Sequence, residues 1–193
     1  MNQADSDHAC CVAFDPERLR ALGSLLRHSS AEIESEVRGR SMGNILPEGT
    51  AVRIRFTALG SFAAGQIVTY VAKDRIVAHR LVLTAANRHD QYVITRGDAT
   101  ICCDAPVPTS CVLGIVTDCC IGGSWQPVGP PARLRGASYL LASAMSAMLA
   151  LLVRLNPGIA CKVATRIVEI HRLMAKLERW MMRFKPLWAG RQS

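Results

Sequence analysis

The feature that most constrains the fold of this chain is a change of pattern between residues 40 and 125. Short runs rich in valine, isoleucine, threonine and tyrosine alternate there with turn residues, a pattern typical of β-strands joined by tight connections. It predicts a mostly antiparallel β domain over residues 39–125, and half of the chain's 193 residues are apolar, enough to supply a core. The clearest strands are expected at 51–57, 66–72, 76–84, 92–96 and 112–118.

Residues 1–38 are predicted to form a loose leader and one helix, over 15–38. Asp15 can cap this helix, and Pro16 suits its first position. An apolar stripe at helical spacing follows, which we expect to pack on the β domain: Leu19, Leu22, Leu25 and Leu26. The acidic start of the chain, with no apolar run behind it, does not have the pattern of a secretory signal peptide.

The segment after the β domain is predicted to contain a linker and two helices. Glycine and proline mark a linker at 126–135, and residues 136–153 then carry no charge. As a helix those eighteen residues would span about 27 Å, just short of a hydrocarbon core of about 30 Å. After the breaker Asn156-Pro157-Gly158, a basic amphipathic helix is expected at about 160–185, with Trp180 and Trp188 near its end.

The net charge of +8 lies almost entirely in the C-terminal segment. From Arg154 onward there are nine Lys or Arg residues, opposed only by Glu169 and Glu178, so this segment carries about seven of the eight charges. A basic amphipathic helix with Trp is typical of membrane-interface binding, and we expect membrane contact through 136–188 rather than nucleic-acid binding. The alternative is a helical hairpin with a solvated basic face. The side of the membrane and the oligomeric state stay open, and a cytoplasmic protein is the alternative location.

The chain has eight cysteines, six of them in adjacent pairs. Neighbouring cysteines rarely bridge each other, and no C-x-x-C spacing is present. We therefore expect free thiols and no metal, although the even count would permit disulfides if the domain were exported. No cofactor is expected.

Short polar motifs interrupt the strand pattern in a characteristic order. A loop containing Ser41-Met42 comes first, His79-Arg80 follows within an apolar strand, and Gly97-Asp98 then ends another strand. Asp104 lies six residues beyond Asp98. The segments that contain these motifs, with the strands next to them, are 39–42, 47–52, 65–68, 76–82, 92–98 and 112–116.

These motifs resemble those of type I signal peptidases, within the LexA-like serine peptidase superfamily, in its Ser–His (endoplasmic-reticulum-like) branch. The likeness covers about residues 38–120 and implies the β fold of that superfamily. It also implies a serine endopeptidase that cleaves a peptide or precursor protein after small residues. By this resemblance Ser41 is the nucleophile and His79 the general base. Asp98 and Asp104 also belong at the site, and Met42 helps line the substrate groove, although it could equally fill the core.

The chemistry of the motifs agrees with these roles. A serine hydroxyl needs a base to take its proton, and neutral imidazole can do this near neutral pH. A carboxylate can orient the imidazole, and either Asp98 or Asp104 would serve, with Asp104 preferred. The backbone N–H of Ser41 is the natural donor to an oxyanion, and Gly97 would permit a tight turn before Asp98.

The chain departs from the family pattern in several places. Asn44 stands where the family has proline, and Gly49-Thr50 and Gly65-Gln66 stand where it has Gly-Asp. No apolar anchor precedes Ser41, so the substrate is expected to be a dedicated precursor rather than bulk secretory proteins. One alternative is a LexA-like self-cleaving regulator, for which Lys73 is the only nearby lysine. Another is a catalytically idle, membrane-associated scaffold.

Overall fold

A computed structural model describes residues 16–26, 31–57, 62–72, 75–129 and 137–183. The predicted leader at 1–13, Lys73 and most of the predicted linker lie outside these residues. The described elements begin with helix α1 (Pro16–Leu26) and end with helices α2 (Ala137–Leu155) and α3 (Pro157–Arg183). Between them lie strands β1 (Glu32–Glu36), β2 (Ala51–Phe56), β3 (Ile67–Ala72), β4 (Arg75–Ala86), β5 (Gln91–Arg96), β6 (Val107–Pro108), β7 (Val112–Ile121) and β8 (Ser124–Pro127).

The eight strands form one antiparallel sheet in the order β1-β2-β7-β3-β4-β5-β6. Strand β8 lies outside this order and pairs with the end of β7. The five clearest predicted strands all form, as β2, β3, β4, β5 and β7. The coarse prediction of a mainly β domain with two C-terminal helices is therefore confirmed.

The prediction of one helix over 15–38 is wrong at Glu32–Glu36, which forms strand β1. This strand pairs with β2, and two ion pairs join them: Arg55 Nε lies 2.8 Å from Glu32 Oε1, and Arg53 Nε lies 3.2 Å from Glu34 Oε1. Cross-strand charge pairs of this kind stabilise the pairing of two strands. The local spacing of apolar residues, on which the helix prediction is based, does not show such a partner strand. The predicted boundary at residue 125 also falls within a strand, since β8 spans Ser124–Pro127.

The two C-terminal helices form a hairpin on the sheet. Its turn follows ordinary capping rules: Asn156 Oδ1 accepts the N–H of Ile159 at 3.2 Å, and Pro157 occupies the first helical position. Leu149 and Val153 of α2 and Ala160 and Ala164 of α3 are buried together with sheet residues such as Tyr92. None of the described helices is long and apolar enough to cross a membrane.

Candidate active site

Ser41 lies in the loop that connects β1 to β2, and this loop is closed at its base by backbone hydrogen bonds. The Val37 N–H donates to the Thr50 carbonyl at 2.9 Å, and the Gly49 N–H donates to the Val37 carbonyl at 2.9 Å. Gly43, with a positive φ of 57°, donates to Arg40 at 3.1 Å and so closes a tight turn around the serine. The loop therefore presents the Ser41 side chain at a fixed position.

Met42 anchors this loop in the core through its buried side chain. Its side chain is only 2% exposed and packs in a cluster with Leu46, Val52, Ile54 and other core residues. A side chain enclosed in this way does not contact a substrate. The expected substrate-binding role of Met42 is therefore not supported, and the structure favours its alternative role as a core residue.

His79 faces Ser41 from the first half of β4. Its Nε2 lies 2.7 Å from Ser41 Oγ, and its side chain is 13% exposed. His79 Nδ1 lies 2.6 Å from Asp104 Oδ2. Because an ionised carboxylate can only accept, this contact places the ring proton on Nδ1 and leaves Nε2 to accept the serine proton.

Asp104 is held by more than the histidine. Its Oδ2 also accepts hydrogen bonds from the hydroxyls of Thr95, at 2.7 Å, and Tyr70, at 3.2 Å. The Asp104 N–H donates to the Thr95 carbonyl at 2.8 Å. Burial, and next the charge of Asp104, raise the pKa of Tyr70 well above its ordinary value, so this hydroxyl keeps the proton that it donates. Asp104 is therefore oriented from two strands, β3 and β5.

Tyr70 and Thr95 are site residues that the sequence reasoning missed. Both lie within predicted strands. A tyrosine or threonine there has the sequence pattern of any buried strand residue, so its hydroxyl does not stand out. Only the pairing of β3 and β5 on either side of β4 brings them to Asp104.

Asp98 does not contact His79 in this arrangement. Its carboxylate is paired with Arg80, whose Nη2 lies 2.6 Å from Oδ2 and whose Nε lies 2.9 Å from Oδ1. Both residues are only 6% exposed. Arg80 Nη1 also donates to the Gly65 carbonyl at 2.7 Å, so the pair ties the end of β5 to the start of β3. The structure thus separates the two aspartates, one beside the imidazole and one in a buried ion pair.

Gly97 is required by the close approach of two chain segments. A Cβ at this position would lie 2.5 Å from the Ser41 carbonyl oxygen, well inside van der Waals contact. Ala99 donates its N–H to that same carbonyl at 2.9 Å. The glycine before Asp98 therefore lets the end of β5 support the backbone of the serine turn.

The backbone N–H of Ser41 is directed to no acceptor among the residues that the structure describes. It belongs to the residue whose hydroxyl faces His79, so an oxygen bound beside Oγ can lie within its reach. It is the candidate donor to a negatively charged oxygen at the site.

The helical hairpin packs against the segment that carries Asp104. Cys103 Sγ lies 3.1 Å from Ser146 Oγ of α2, and Cys161 of α3 donates to the Pro106 carbonyl at 3.6 Å. Burial raises the pKa of the Cys103 thiol, which stays protonated as a small buried group. Two helices thus support the residues on either side of Asp104.

The cysteines within the described ranges are free thiols: Cys102, Cys103, Cys111, Cys119, Cys120 and Cys161. Cys10 and Cys11 lie outside the described residues. In the part of the chain that the structure describes, no group of three or more His, Cys, Asp or Glu side chains is placed to hold a metal ion.

The first half of β4 has an edge that no described strand covers. The Leu81 N–H donates to the Gln66 carbonyl at 2.7 Å. Because hydrogen bonds to one neighbour alternate along an antiparallel strand, the odd-numbered residues of β4 up to Leu81 bond to β3. The N–H and C=O groups of Ile76 and Ala78 therefore point to the opposite edge. Strand β5 pairs with β4 only from Arg80 onward. No described strand pairs with the backbone of Ile76 and Ala78, called here the β4 edge, which lies directly before His79.

Comparison with known proteins assigns no family to the chain. No protein-family model matches it, and no curated protein or solved structure matches it significantly.

Proposed function

We propose that the chain is a serine-type endopeptidase with Ser41 as nucleophile, His79 as general base and Asp104 as the residue that orients His79. The observation that carries this proposal is the continuous hydrogen-bonded path from Ser41 Oγ to His79 Nε2 and from His79 Nδ1 to Asp104 Oδ2, at 2.7 and 2.6 Å. These are the contacts that a serine nucleophile needs for activation by a neutral imidazole.

The reaction follows from these contacts. Ser41 Oγ attacks the substrate carbonyl carbon as its proton passes to His79 Nε2, and Asp104 stabilises the resulting imidazolium. The carbonyl oxygen becomes an oxyanion, to which the Ser41 N–H can donate. His79 then gives its proton to the leaving amine, and the acyl group stays on Ser41. Water, giving a proton to His79, then attacks the acyl carbon; the bond to Ser41 Oγ breaks, and His79 returns the proton to that oxygen as the acid product leaves.

The β4 edge supports a peptide as the substrate. An extended peptide can add to an uncovered strand edge through its main chain, and Ile76 and Ala78 offer that edge next to the base. The resemblance of the motifs to type I signal peptidases favours cleavage after small residues in a precursor. Asp98, paired with Arg80, would act in this enzyme as a structural residue of the site rather than as a catalytic one.

A fluorophosphonate probe tests the nucleophile without knowledge of the substrate. We expect wild-type protein to gain one adduct, located at Ser41 by peptide mass mapping, and Ser41→Ala and His79→Ala to lose labelling by at least about 10³-fold. Ser35→Ala and His89→Ala are matched controls, because both side chains are exposed and lie outside the site. Equal labelling of wild type and Ser41→Ala would refute the assignment of the nucleophile.

A peptide library then tests the substrate class. Wild-type protein should cut after small residues such as alanine or glycine, and Ser41→Ala should leave the library intact. If Ser41 is labelled by the probe but the library and the chain itself stay uncut, the endopeptidase proposal fails and another acyl substrate is indicated. Cuts within the chain alone would instead favour a self-cleaving protein.

A further inference from the structure

The far part of α3 has no buried side chain among those that the structure describes. Ala160 and Ala164 are buried against α2 and the sheet, and no described side chain of α3 beyond Ala164 is buried. The helix nevertheless continues to Arg183. Nineteen residues at about 1.5 Å each extend it by roughly 28 Å beyond its packed start. Such a length of regular helix offers a large surface for another partner.

One side of this segment is apolar and exposed. Its five large apolar side chains are between 48% and 64% exposed. Their spacing of three and four residues places them on a single face of the helix. The apolar stripe of α3 consists of Ile170, Leu173, Met174, Leu177 and Trp180.

The opposite side is basic. Arg172, Lys176 and Arg179 follow one another at steps of four and three, so they share a face that lies away from the apolar stripe. Over the whole of α3 there are six Lys or Arg residues and two Glu residues, a net charge of +4 for the helix. One of the two acids, Glu169, is paired with Arg166 at 2.9 Å.

We propose that α3 docks in the plane of an anionic lipid bilayer, with its apolar stripe in the headgroup region and its net positive charge attracted by the anionic surface. A helix with an exposed apolar face that includes Trp, and with a basic polar face, has the composition of interfacial helices. The positive charge complements an anionic surface. A second copy of α3 would bring two helices of charge +4 together and is disfavoured for that reason. This inference is independent of the proposed peptidase activity.

Vesicle co-sedimentation of the full chain tests the proposal. We expect strong binding to vesicles of phosphatidylcholine with 30% phosphatidylglycerol, and weak binding to phosphatidylcholine alone. The triple variant R172Q/K176Q/R179Q should weaken binding to the anionic vesicles by more than roughly tenfold. L173E/L177E should also abolish binding, because it places charges in the apolar stripe. Leu25→Glu is the matched control, since Leu25 is exposed on α1 and should leave binding unchanged.

Three results would overturn the proposal. One is equal binding of wild type and L173E/L177E to anionic vesicles. Another is an absence of vesicle binding together with a dimer in light scattering that L173E/L177E dissociates, which would make α3 a self-association surface. The third is salt-sensitive binding to duplex DNA that exceeds binding to vesicles. Fluorophosphonate labelling of Ser41 in the same preparations shows separately whether the catalytic proposal holds.

Discussion

Asp104 Oδ2 accepts from His79, Thr95 and Tyr70, and these contacts decide how firmly the imidazole is held. Hydrogen bonds to a charged acceptor are worth about 1.5–3 kcal/mol each. Since Tyr70 and Thr95 touch the carboxylate and not the substrate, they are positioning residues. Their effect should therefore fall on the chemical step.

We predict that Tyr70→Phe and Thr95→Val each lower kcat by roughly tenfold with little change in KM. Steady-state kinetics on a cleaved peptide separates the two constants. Thr95→Ser should restore activity, because it keeps the hydroxyl. Tyr92→Phe, a second buried tyrosine outside the site, is the control. A rise in KM at constant kcat, or a failure of Thr95→Ser to rescue, would contradict the positioning role.

A matched pair of variants, Asp98→Asn and Asp104→Asn, should distinguish the roles of the two aspartates. Asp98→Asn leaves the buried Arg80 charge uncompensated and should lower the free energy of unfolding by about 3–5 kcal/mol. The folded protein should still react with a fluorophosphonate. Asp104→Asn should cost less stability but abolish labelling, because a neutral amide cannot stabilise the imidazolium and its NH2 group can donate to His79 Nδ1, which favours the wrong tautomer. Urea unfolding measures the stability of each variant, and labelling rates at urea concentrations below the unfolding transition measure the reactivity of Ser41. If Asp98→Asn lost labelling and Asp104→Asn lost stability, the two roles would be exchanged.

At the scale of the elements, β4 combines two tasks in one strand. Its second half pairs with β5, and its first half bears His79 and carries the β4 edge. This division arises because β5 ends at Arg96, the residue that pairs with Arg80. The proposed substrate strand would take the place beside β4 that β5 leaves open.

We predict that Ile76→Pro lowers kcat/KM by at least roughly tenfold while leaving the fold stable. Proline removes an N–H, and that of Ile76 points to the open edge rather than to β3. Val77→Pro is the matched comparison, because its N–H belongs to the ladder with β3 and its loss should destabilise the domain. Peptide kinetics with thermal unfolding distinguishes the two. Unchanged kcat/KM in a folded Ile76→Pro protein would exclude the β4 edge as the substrate site.

The sequence predicts an element where the local pattern of apolar residues determines it. It does not predict an element that forms only by pairing with a distant strand. The alternation of β-branched residues indicated β2, β3, β4, β5 and β7 correctly, because these strands carry the core. Strand β1 was mistaken for helix, since its five residues are all exposed and only pairing with β2 defines it. The order of the motifs pointed to Ser41, His79 and Asp104. It could not show that Asp98 turns to Arg80 or that Tyr70 reaches Asp104, because these contacts depend on distant strands.

At the scale of the whole molecule, the helical hairpin and the sheet share a core that includes Cys103, the neighbour of Asp104. Leu149 of α2 is fully buried in the cluster that contains Cys103, the residue before Asp104. The same helix contacts Cys103 through Ser146. Loss of hairpin packing should therefore affect the site as well as stability.

We predict that Leu149→Ala lowers the free energy of unfolding by about 2–5 kcal/mol, through lost burial and a residual cavity. For a chain of this size that corresponds to a fall in Tm of about 5–15 °C, and unfolding should remain a single transition. Leu151→Ala, exposed on the same helix, should change Tm little. Calorimetry and Ser41 labelling along the same temperature ramp provide the measurement. If the hairpin melts first while labelling at Ser41 persists, the helices are an independent unit and do not support Asp104.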